Sequence, residues 1–133
     1  KNVFVFNGDT FFDVDIELMA TQHELNKSEV TLALKPLVEF DRYGTVEIDG
    51  DCRIVNFSEK KFCKEGVING GVYLMKTSVF DELDYPDQFS IEKDYFEKYY
   101  TEIQLEGFID EGYFIDIGIP EDYVKAQKEL KKN

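Results

Sequence analysis

Histidine and cysteine are scarce in this sequence of 133 residues. It has one histidine, His23, and two cysteines, Cys52 and Cys63, which lack the short spacing and neighbouring ligands of a zinc site. A zinc centre and a histidine-based catalytic triad are therefore both disfavoured. We expect both cysteines to be free thiols in a reducing compartment, which predicts a cytoplasmic protein.

Positive charge is also in short supply. The chain has 15 lysines and arginines against 28 acidic residues, a formal net charge of −13. This balance disfavours nonspecific binding to nucleic acid or anionic membranes, because both need basic patches. No signal peptide or membrane-spanning apolar run is visible in the sequence. The acidic composition does not exclude a phosphate substrate, provided that a metal ion or local lysines mediate its contact with the protein.

The chain does have enough apolar residues, 43% of the total, for one domain with a core. Its first residues include the short apolar run Val3-Phe4-Val5-Phe6, bounded by Asn7-Gly8, which is typical of a fully buried strand in a parallel sheet. The chain begins directly in this strand and without a methionine. We therefore expect that the first part of a larger domain precedes Lys1.

Strand and helix patterns then alternate along the chain. Asp15 is suited to be the N-cap of a helix over 16–27, which leads into a strand over 29–35. The opening strand, this helix and the second strand predict a β-α-β unit with parallel pairing. Asp49-Gly50 between short alternating runs at 45–48 and 53–57 predicts a hairpin. The remaining predicted strands cover 67–75, 102–108 and 113–117, and the remaining predicted helices cover 77–83, 90–100 and 121–130.

Two carboxylates lie at the ends of predicted strands. Asp9 follows the first strand, and Asp116 lies where the last one ends. Ligands of open α/β sheets bind at such ends, and two convergent carboxylates suit Mg²⁺, which fills its shell with water and substrate phosphates. Lys60, after the hairpin, would hold a phosphate as a point charge. This pattern favours phosphoryl or nucleotidyl transfer, although Asp9 could equally cap a turn.

A pair of glycines, Gly70-Gly71, interrupts the strand predicted over 67–75. Glycines inside a strand indicate either the close approach of a ligand or a β-bulge. The local pattern leaves these two interpretations open.

Five short motifs occur in a specific order. They are Phe4-Val5-Phe6-Asn7-Gly8-Asp9, Tyr43-Gly44-Thr45-Val46, Phe57-Ser58-Glu59-Lys60, Ile68-Asn69-Gly70-Gly71-Val72-Tyr73 and Phe114-Ile115-Asp116-Ile117-Gly118-Ile119-Pro120-Glu121-Asp122-Tyr123. Over nearly the whole chain this order resembles the sugar-1-phosphate nucleotidyltransferases. Within them it is most similar to the small heptose- or mannose-1-phosphate guanylyltransferases and the related uridylyltransferases.

The resemblance implies an α/β fold with a Rossmann-like, glycosyltransferase-A-type mixed sheet flanked by helices, lacking its N-terminal part. Residues 1–133 would be the C-terminal portion of a single nucleotidyltransferase domain. The reaction would transfer a nucleotidyl group from an NTP, with GTP favoured, to a sugar 1-phosphate of the heptose or mannose type. Pyrophosphate would leave, and the product would be a nucleotide-sugar for polysaccharide biosynthesis.

The resemblance also implies site residues. Asp9 and Asp116 match the catalytic, metal-binding aspartates, with Mg²⁺ as the cofactor. The positions that match the sugar-phosphate pocket are Gly44, Glu59, Lys60, Asn69 and Gly70, with Lys60 on the phosphate.

The sequence departs from the family pattern in two ways. The family's glycine-rich loop with its Arg and Lys, which cradles the triphosphate, is absent, so we expect this chain alone to be inactive. Ile119 stands where the family usually has threonine, which predicts a lost hydroxyl contact.

Two other functions stay open. Asp13-Val14-Asp15 has the spacing of the paired aspartates in a metal-dependent glycosyltransferase of related fold, although Asp15 also suits a helix N-cap. The second is a non-catalytic sugar-phosphate-binding module. A fragment of a larger domain would expose the apolar flank of its first strand, so we expect dimerisation or aggregation there, that is, a homo-oligomer.

Overall fold

Eight strands and three helices make up the described part of the chain. The computed structural model describes residues 2–82 and 95–116. The elements are, in chain order, β1 (Asn2–Phe6), β2 (Thr10–Phe12), α1 (Ile16–Leu25), β3 (Val30–Phe40), β4 (Val46–Ile48), β5 (Ile54–Phe57), β6 (Cys63–Lys76), α2 (Thr77–Glu82), α3 (Glu97–Tyr99), β7 (Leu105–Ile109) and β8 (Phe114–Asp116).

The central sheet has four strands in the order β1-β6-β3-β7. Strand β6 pairs antiparallel with both β1 and β3, and β3 pairs parallel with β7, so the sheet is mixed, which confirms the predicted fold class. The predicted parallel pairing of the first two strands is wrong. β1 and β3 run in the same direction, but the long strand β6 lies between them. A hydrophobic run indicates burial and leaves the partner of the strand unspecified.

Alternate residues of the central strands line two separate apolar clusters, as the two-residue period of a strand requires. On β3, Leu32 and Leu34 lie in one cluster and Ala33 lies in the other. The first cluster includes Tyr95 and Phe96, and the second includes Phe12 of β2 and Met19 of α1. The sheet is thus buried on both faces, as in α/β proteins.

Strand β1 is less buried than its sequence predicts. Each of its residues is half-buried or exposed, and Phe6 is 61% exposed. The prediction of a fully buried strand is therefore wrong for this structure. Within the described residues, β1 has a hydrogen-bonded neighbour, β6, on one side only.

Helix α1 begins as predicted. The Asp15 carboxylate accepts a hydrogen bond from the backbone N–H of Leu18 at 3.0 Å, which satisfies one of the unpaired donors at the helix start. This confirms the N-cap interpretation of Asp15. Met19 and His23 are the buried residues of the helix, whereas Ile16 is largely exposed.

The predicted hairpin forms between β4 and β5, which pair antiparallel. Its loop is longer than an Asp-Gly turn. Asp49 accepts hydrogen bonds from the backbone N–H groups of Asp51 at 2.9 Å and Arg53 at 3.0 Å, and Cys52, rather than Gly50, takes the left-handed conformation at φ 65°. The backbone also closes the loop, because the Cys52 N–H donates to the Asp49 carbonyl at 3.1 Å, and the side chain of Asp49 adds its two hydrogen bonds to this turn. Cys52 and Cys63 are both free, as predicted.

A second, two-stranded sheet was not predicted from the sequence. β2 and β8 pair antiparallel and form what we call the β2–β8 ribbon. β8 lies within the strand predicted over 113–117, whereas no strand is predicted at β2. The pairing of these two segments with each other has no counterpart among the predictions.

Several predictions lie partly or wholly outside the described residues. Helix α2 covers most of the helix predicted over 77–83, and α3 covers three residues of the one predicted over 90–100. The predicted helix over 121–130 and the segment with Ile119 fall beyond residue 116. In the two described ranges, no helix has the length and apolar character needed to cross a membrane.

Candidate functional site

The β2–β8 ribbon brings the two predicted metal-binding aspartates near each other. Thr10 is paired with Asp116, and Asp9 directly precedes Thr10. Since paired Cα atoms lie about 4.5–5.5 Å apart and consecutive ones about 3.8 Å, the Cα atoms of Asp9 and Asp116 are within about 10 Å of each other. Asp9 is exposed and Asp116 is half-buried.

Tyr43 contacts the Asp116 carboxylate from the loop between β3 and β4. Its hydroxyl donates a hydrogen bond to Asp116 Oδ2 at 3.3 Å. Its ring meets Phe114 edge-on, with centroids 6.1 Å apart and planes at 78°. These two contacts attach the loop to β8 next to the candidate metal-binding residue.

Gly44, the next residue of this loop, lies directly against the end of the hairpin. A side chain at Gly44 would overlap the backbone carbonyl of Ser58, and the Ser58 N–H donates to the Thr45 carbonyl at 2.9 Å. Glu59 and Lys60 follow Ser58 and are exposed. Three of the predicted sugar-phosphate residues therefore belong to one region, which Tyr43 connects to Asp116.

The paired glycines of β6 form an irregularity in the sheet. The pairing of β3 with β6 shifts register between Leu32 and Leu34, and Gly71 has a φ of 82°. Asn69 stabilises this bend, because its Oδ1 accepts from the Gly71 N–H at 2.8 Å and its Nδ2 donates to the Tyr73 hydroxyl at 3.1 Å. The bulge interpretation is confirmed.

The close neighbours of the two glycines belong to the segment that leads from β1 into β2. A Cβ atom at Gly70 would overlap the ring of Phe12, and one at Gly71 would overlap the hydroxyl of Thr10. The Asn7 N–H donates to the Gly71 carbonyl at 2.8 Å. The glycines thus let the segment from Asn7 to Phe12, which contains Asp9, pass closely over β6. Ligand contacts at Asn69 and Gly70 stay predictions.

His23 is a buried structural histidine on the inner face of α1. Its Nδ1 lies 2.7 Å from Thr31 Oγ1 and its Nε2 lies 3.2 Å from Asn2 Oδ1. Burial lowers the pKa of His23 below its ordinary value of 6.5, Lys76 lowers it further, and Glu106 and Glu24 act in the opposite direction. These neighbours agree with the interpretation that His23 is neither a metal ligand nor part of a triad.

The donor set at the ribbon suits a hard divalent cation. Across residues 2–82 and 95–116 there is no cluster of three or more histidine, cysteine, aspartate or glutamate residues that could hold a metal ion. Mg²⁺ is commonly bound by one or two carboxylates together with water and substrate phosphates. Two neighbouring aspartates therefore fit Mg²⁺ bound jointly with a phosphate substrate.

The whole chain, residues 1–133, matches the family model described as nucleotidyl transferase. The chain belongs to the nucleotidyltransferase family. The resemblance to the nucleotidyltransferases that the sequence indicates is thereby confirmed.

Among the nucleotidyltransferases, the chain is similar to enzymes named as heptose 1-phosphate guanylyltransferases. The chain is 50% identical over 131 residues to a D-glycero-alpha-D-manno-heptose 1-phosphate guanylyltransferase of Aneurinibacillus thermoaerophilus, covering 98% of the chain and 56% of the relative. It is 43% identical over 123 residues to the enzyme of the same name from Campylobacter jejuni, covering 92% and 53%. The chain thus spans about half the length of these curated relatives.

A solved structure confirms the fold. HddC from Yersinia pseudotuberculosis, complexed with GMP-PN, superposes with a TM-score of 0.81 at 33% sequence identity. The match covers 97% of this chain and 55% of that one. The mixed sheet with its helices is therefore the architecture of a nucleotidyltransferase.

Sequence reasoning missed two residues that the structure connects to the candidate site. Tyr43 stands in one of the five ordered motifs, but a role is predicted only for its neighbour Gly44. Asp110 lies between the strands predicted over 102–108 and 113–117, and no role is predicted for it. An aspartate two residues before a glycine is a known signal for a side-chain-capped turn, so this contact was within reach of the sequence.

Proposed function

We propose that this chain carries the metal-binding and sugar-phosphate-binding residues of a sugar-1-phosphate guanylyltransferase. The observation that carries the proposal is the register of the β2–β8 ribbon, which pairs Thr10 with Asp116 and so brings Asp9 and Asp116 together. Membership of the nucleotidyltransferase family and the names of the two relatives support a heptose 1-phosphate as the acceptor and GTP as the donor.

In this proposal the two aspartates bind the metal ion and Lys60 binds the phosphate of the sugar. Asp9 and Asp116 would hold Mg²⁺, which supplies charge neutralisation on the phosphate oxygens when it is bound. Lys60 would hold the phosphate of the sugar, with Gly44, Glu59, Asn69 and Gly70 lining its pocket. A phosphate oxygen of the sugar 1-phosphate would attack the α-phosphorus of GTP, the bond between the α- and β-phosphates would break, and pyrophosphate would leave.

The lysine and the aspartates are suited to these roles by position. Lys60 is exposed directly after Ser58, against which Gly44 packs, and Tyr43 joins that loop to Asp116. A sugar phosphate bound near Lys60 would therefore lie on the side of the molecule that carries the aspartates. Catalysis of this kind depends mainly on positioning and electrostatic stabilisation.

We further propose that the chain is the C-terminal portion of one nucleotidyltransferase domain and is inactive alone. The support is the sequence itself, in which no glycine-rich triphosphate loop is found between Lys1 and Asn133. A homo-oligomer through the partly exposed flank of β1 and a cytoplasmic location also stay proposals.

The test is an assay of pyrophosphate release by the intact enzyme with Mg²⁺. The substrates are GTP or UTP, each combined with heptose 1-phosphate or mannose 1-phosphate. Release of pyrophosphate that depends on GTP and heptose 1-phosphate supports the proposal. Release of a free nucleoside diphosphate from a nucleotide-sugar would favour the glycosyltransferase instead, and sugar-phosphate binding without turnover would favour the binding module.

A further inference from the structure

We propose that Asp110, supported by Lys35, is a positioning residue that fixes the β2–β8 ribbon and with it the relative placement of Asp9 and Asp116. The inference rests on the proposed function, in which these two carboxylates bind the metal ion. Asp110 itself would touch neither metal nor substrate.

The Asp110 carboxylate accepts hydrogen bonds from two segments, the one that enters β8 and the one that leaves β2. Its Oδ1 accepts a hydrogen bond from the Gly112 N–H at 2.7 Å, two residues before β8 begins. Its Oδ2 accepts one from the Asp15 N–H at 3.0 Å, three residues after β2 ends. One side chain therefore holds the chain entering β8 against the chain leaving β2, through two charge-assisted hydrogen bonds.

The turn that contains Asp110 is itself anchored to the central sheet. The Asp110 N–H donates to the Leu34 carbonyl of β3 at 3.0 Å. The ammonium of Lys35 on the same strand donates to the carbonyls of Glu111 at 3.0 Å and Gly112 at 2.8 Å. The clamp formed by Asp110 and Lys35 thus connects the ribbon to a strand that is buried for most of its length.

The crossing under this clamp is tight. The Asp13 N–H donates to the Tyr113 carbonyl at 2.8 Å, which continues the ribbon ladder by one bond. A Cβ atom at Gly112 would overlap the Asp13 carbonyl, so the two segments approach as closely as their backbones permit. We therefore expect that loss of the clamp would let the segment around Asp13 shift relative to the segment around Gly112.

The clamp adds to the contacts of β2 with Gly70 and Gly71 of β6. Each strand of the ribbon has three residues, and a two-stranded ribbon without further contacts is marginally stable at best in water. The clamp is at the Phe12–Phe114 end, and the aspartates are at the Thr10–Asp116 end. A small rotation at the clamped end becomes a larger displacement at the end that carries the carboxylates.

The test measures Mn²⁺ binding by electron paramagnetic resonance on the intact enzyme and its variants. Outer groups that orient metal ligands typically change affinity by about 10–100-fold, so we expect Asp110→Ala to weaken Mn²⁺ binding by about tenfold. Lys35→Met should weaken it in the same direction. In the same variants kcat should fall, while KM for the sugar 1-phosphate stays near the wild-type value.

Asp49→Ala is the matched control. Asp49 also accepts hydrogen bonds from two backbone N–H groups in a turn, but in the β4–β5 loop. Both substitutions should lower thermal stability, and only Asp110→Ala should lower Mn²⁺ affinity. If Asp110→Ala does not fold, Asp110→Asn, which keeps one acceptor oxygen, takes its place.

Two negative outcomes can be told apart. Wild-type Mn²⁺ affinity in Asp110→Ala or its substitute, beside weakened binding in Asp9→Asn, overturns this inference and leaves the proposed function intact. Unchanged Mn²⁺ affinity in Asp9→Asn overturns the metal assignment, and the inference falls with it.

Discussion

Thr10 and Asp116 face each other across a three-residue ribbon, although they come from opposite parts of the chain. The pairing makes Asp116 a spatial neighbour of Asp9, which local sequence patterns do not predict. It also defines which side of the nucleotidyltransferase fold carries the candidate chemistry. Tyr43, donating to Asp116 Oδ2, extends this side to the loop with Gly44.

The first prediction concerns these aspartates. Asp9→Asn or Asp116→Asn should lower kcat for pyrophosphate release by about a hundredfold or more, because metal charge stabilisation contributes several kcal/mol to the transition state. The fall should be partly offset by higher Mg²⁺ concentration. The measurement is the initial rate of pyrophosphate release over a Mg²⁺ titration.

Asp13→Asn is the control for this experiment. Asp13 is an exposed carboxylate close to the same ribbon, and its described hydrogen bond is made by its backbone. We expect its activity to stay near wild type. A large loss in Asp13→Asn, with Asp9→Asn unaffected, would contradict the metal assignment and favour the paired-aspartate alternative.

The elements that the sequence predicts correctly are those with local causes. Asp15 caps α1 because its own carboxylate reaches the first turn, and the β4–β5 hairpin follows from short alternating runs around Asp49-Gly50. The mixed sheet is also predicted correctly, but from the family resemblance and not from local patterns. The helix cap and the hairpin therefore depend on residues close together in sequence, and the sheet prediction depends on the ordered set of motifs.

The errors concern partners that are distant in sequence. β2 has only three residues, which lie between turn signals. It forms a strand because it makes backbone hydrogen bonds with β8. The insertion of β6 between β1 and β3 likewise depends on long-range pairing. Of the candidate site, the family resemblance supplies Asp9, Asp116 and Lys60, whereas the contacts of Tyr43 and Asp110 needed the structure.

The second prediction concerns the glycine against which Phe12 packs. Gly70→Ala should lower the free energy of unfolding by about 1–3 kcal/mol, because the added methyl group would overlap the Phe12 ring and press on the Ala33 carbonyl. Urea denaturation measures the change. Phe12→Leu in the Gly70→Ala background should recover part of it.

Gly50→Ala provides the matched control for Gly70. A Cβ atom at Gly50 meets nothing within 4 Å, and this residue does not take a left-handed φ. Its substitution should leave stability unchanged or slightly higher. Equal losses at both positions would show that the close packing of β2 on β6 is not what constrains Gly70.

The third prediction follows from the buried His23. Its pKa is lowered in the folded chain, mainly by burial, so between that value and about 6.5 the unfolded chain binds a proton that the folded chain does not. Stability should therefore fall as pH decreases from about 6.5 through the folded-state pKa, and this contribution should be constant below it.

The single histidine makes this measurement direct. An NMR titration of the His23 ring should give a pKa below 6.5 in the folded chain and an ordinary value in urea. In His23→Gln, the pH dependence of unfolding below about 6.5 should be flatter than in the wild type. A folded-state titration at or above the ordinary value would contradict the effect of burial.

The fourth prediction separates two neighbouring lysines. Lys60→Gln should raise KM for the sugar 1-phosphate by about tenfold or more, because a hydrogen bond to a charged group typically contributes about 1.5–3 kcal/mol. Lys61→Gln removes the same charge from the next residue, which is also exposed, and should leave KM near wild type. The KM for GTP should change little in either variant. Because the two variants have the same net charge, a general effect of lost positive charge would raise KM equally in both. That result would contradict the assignment of Lys60 to the phosphate, whereas a selective rise in Lys60→Gln would support it.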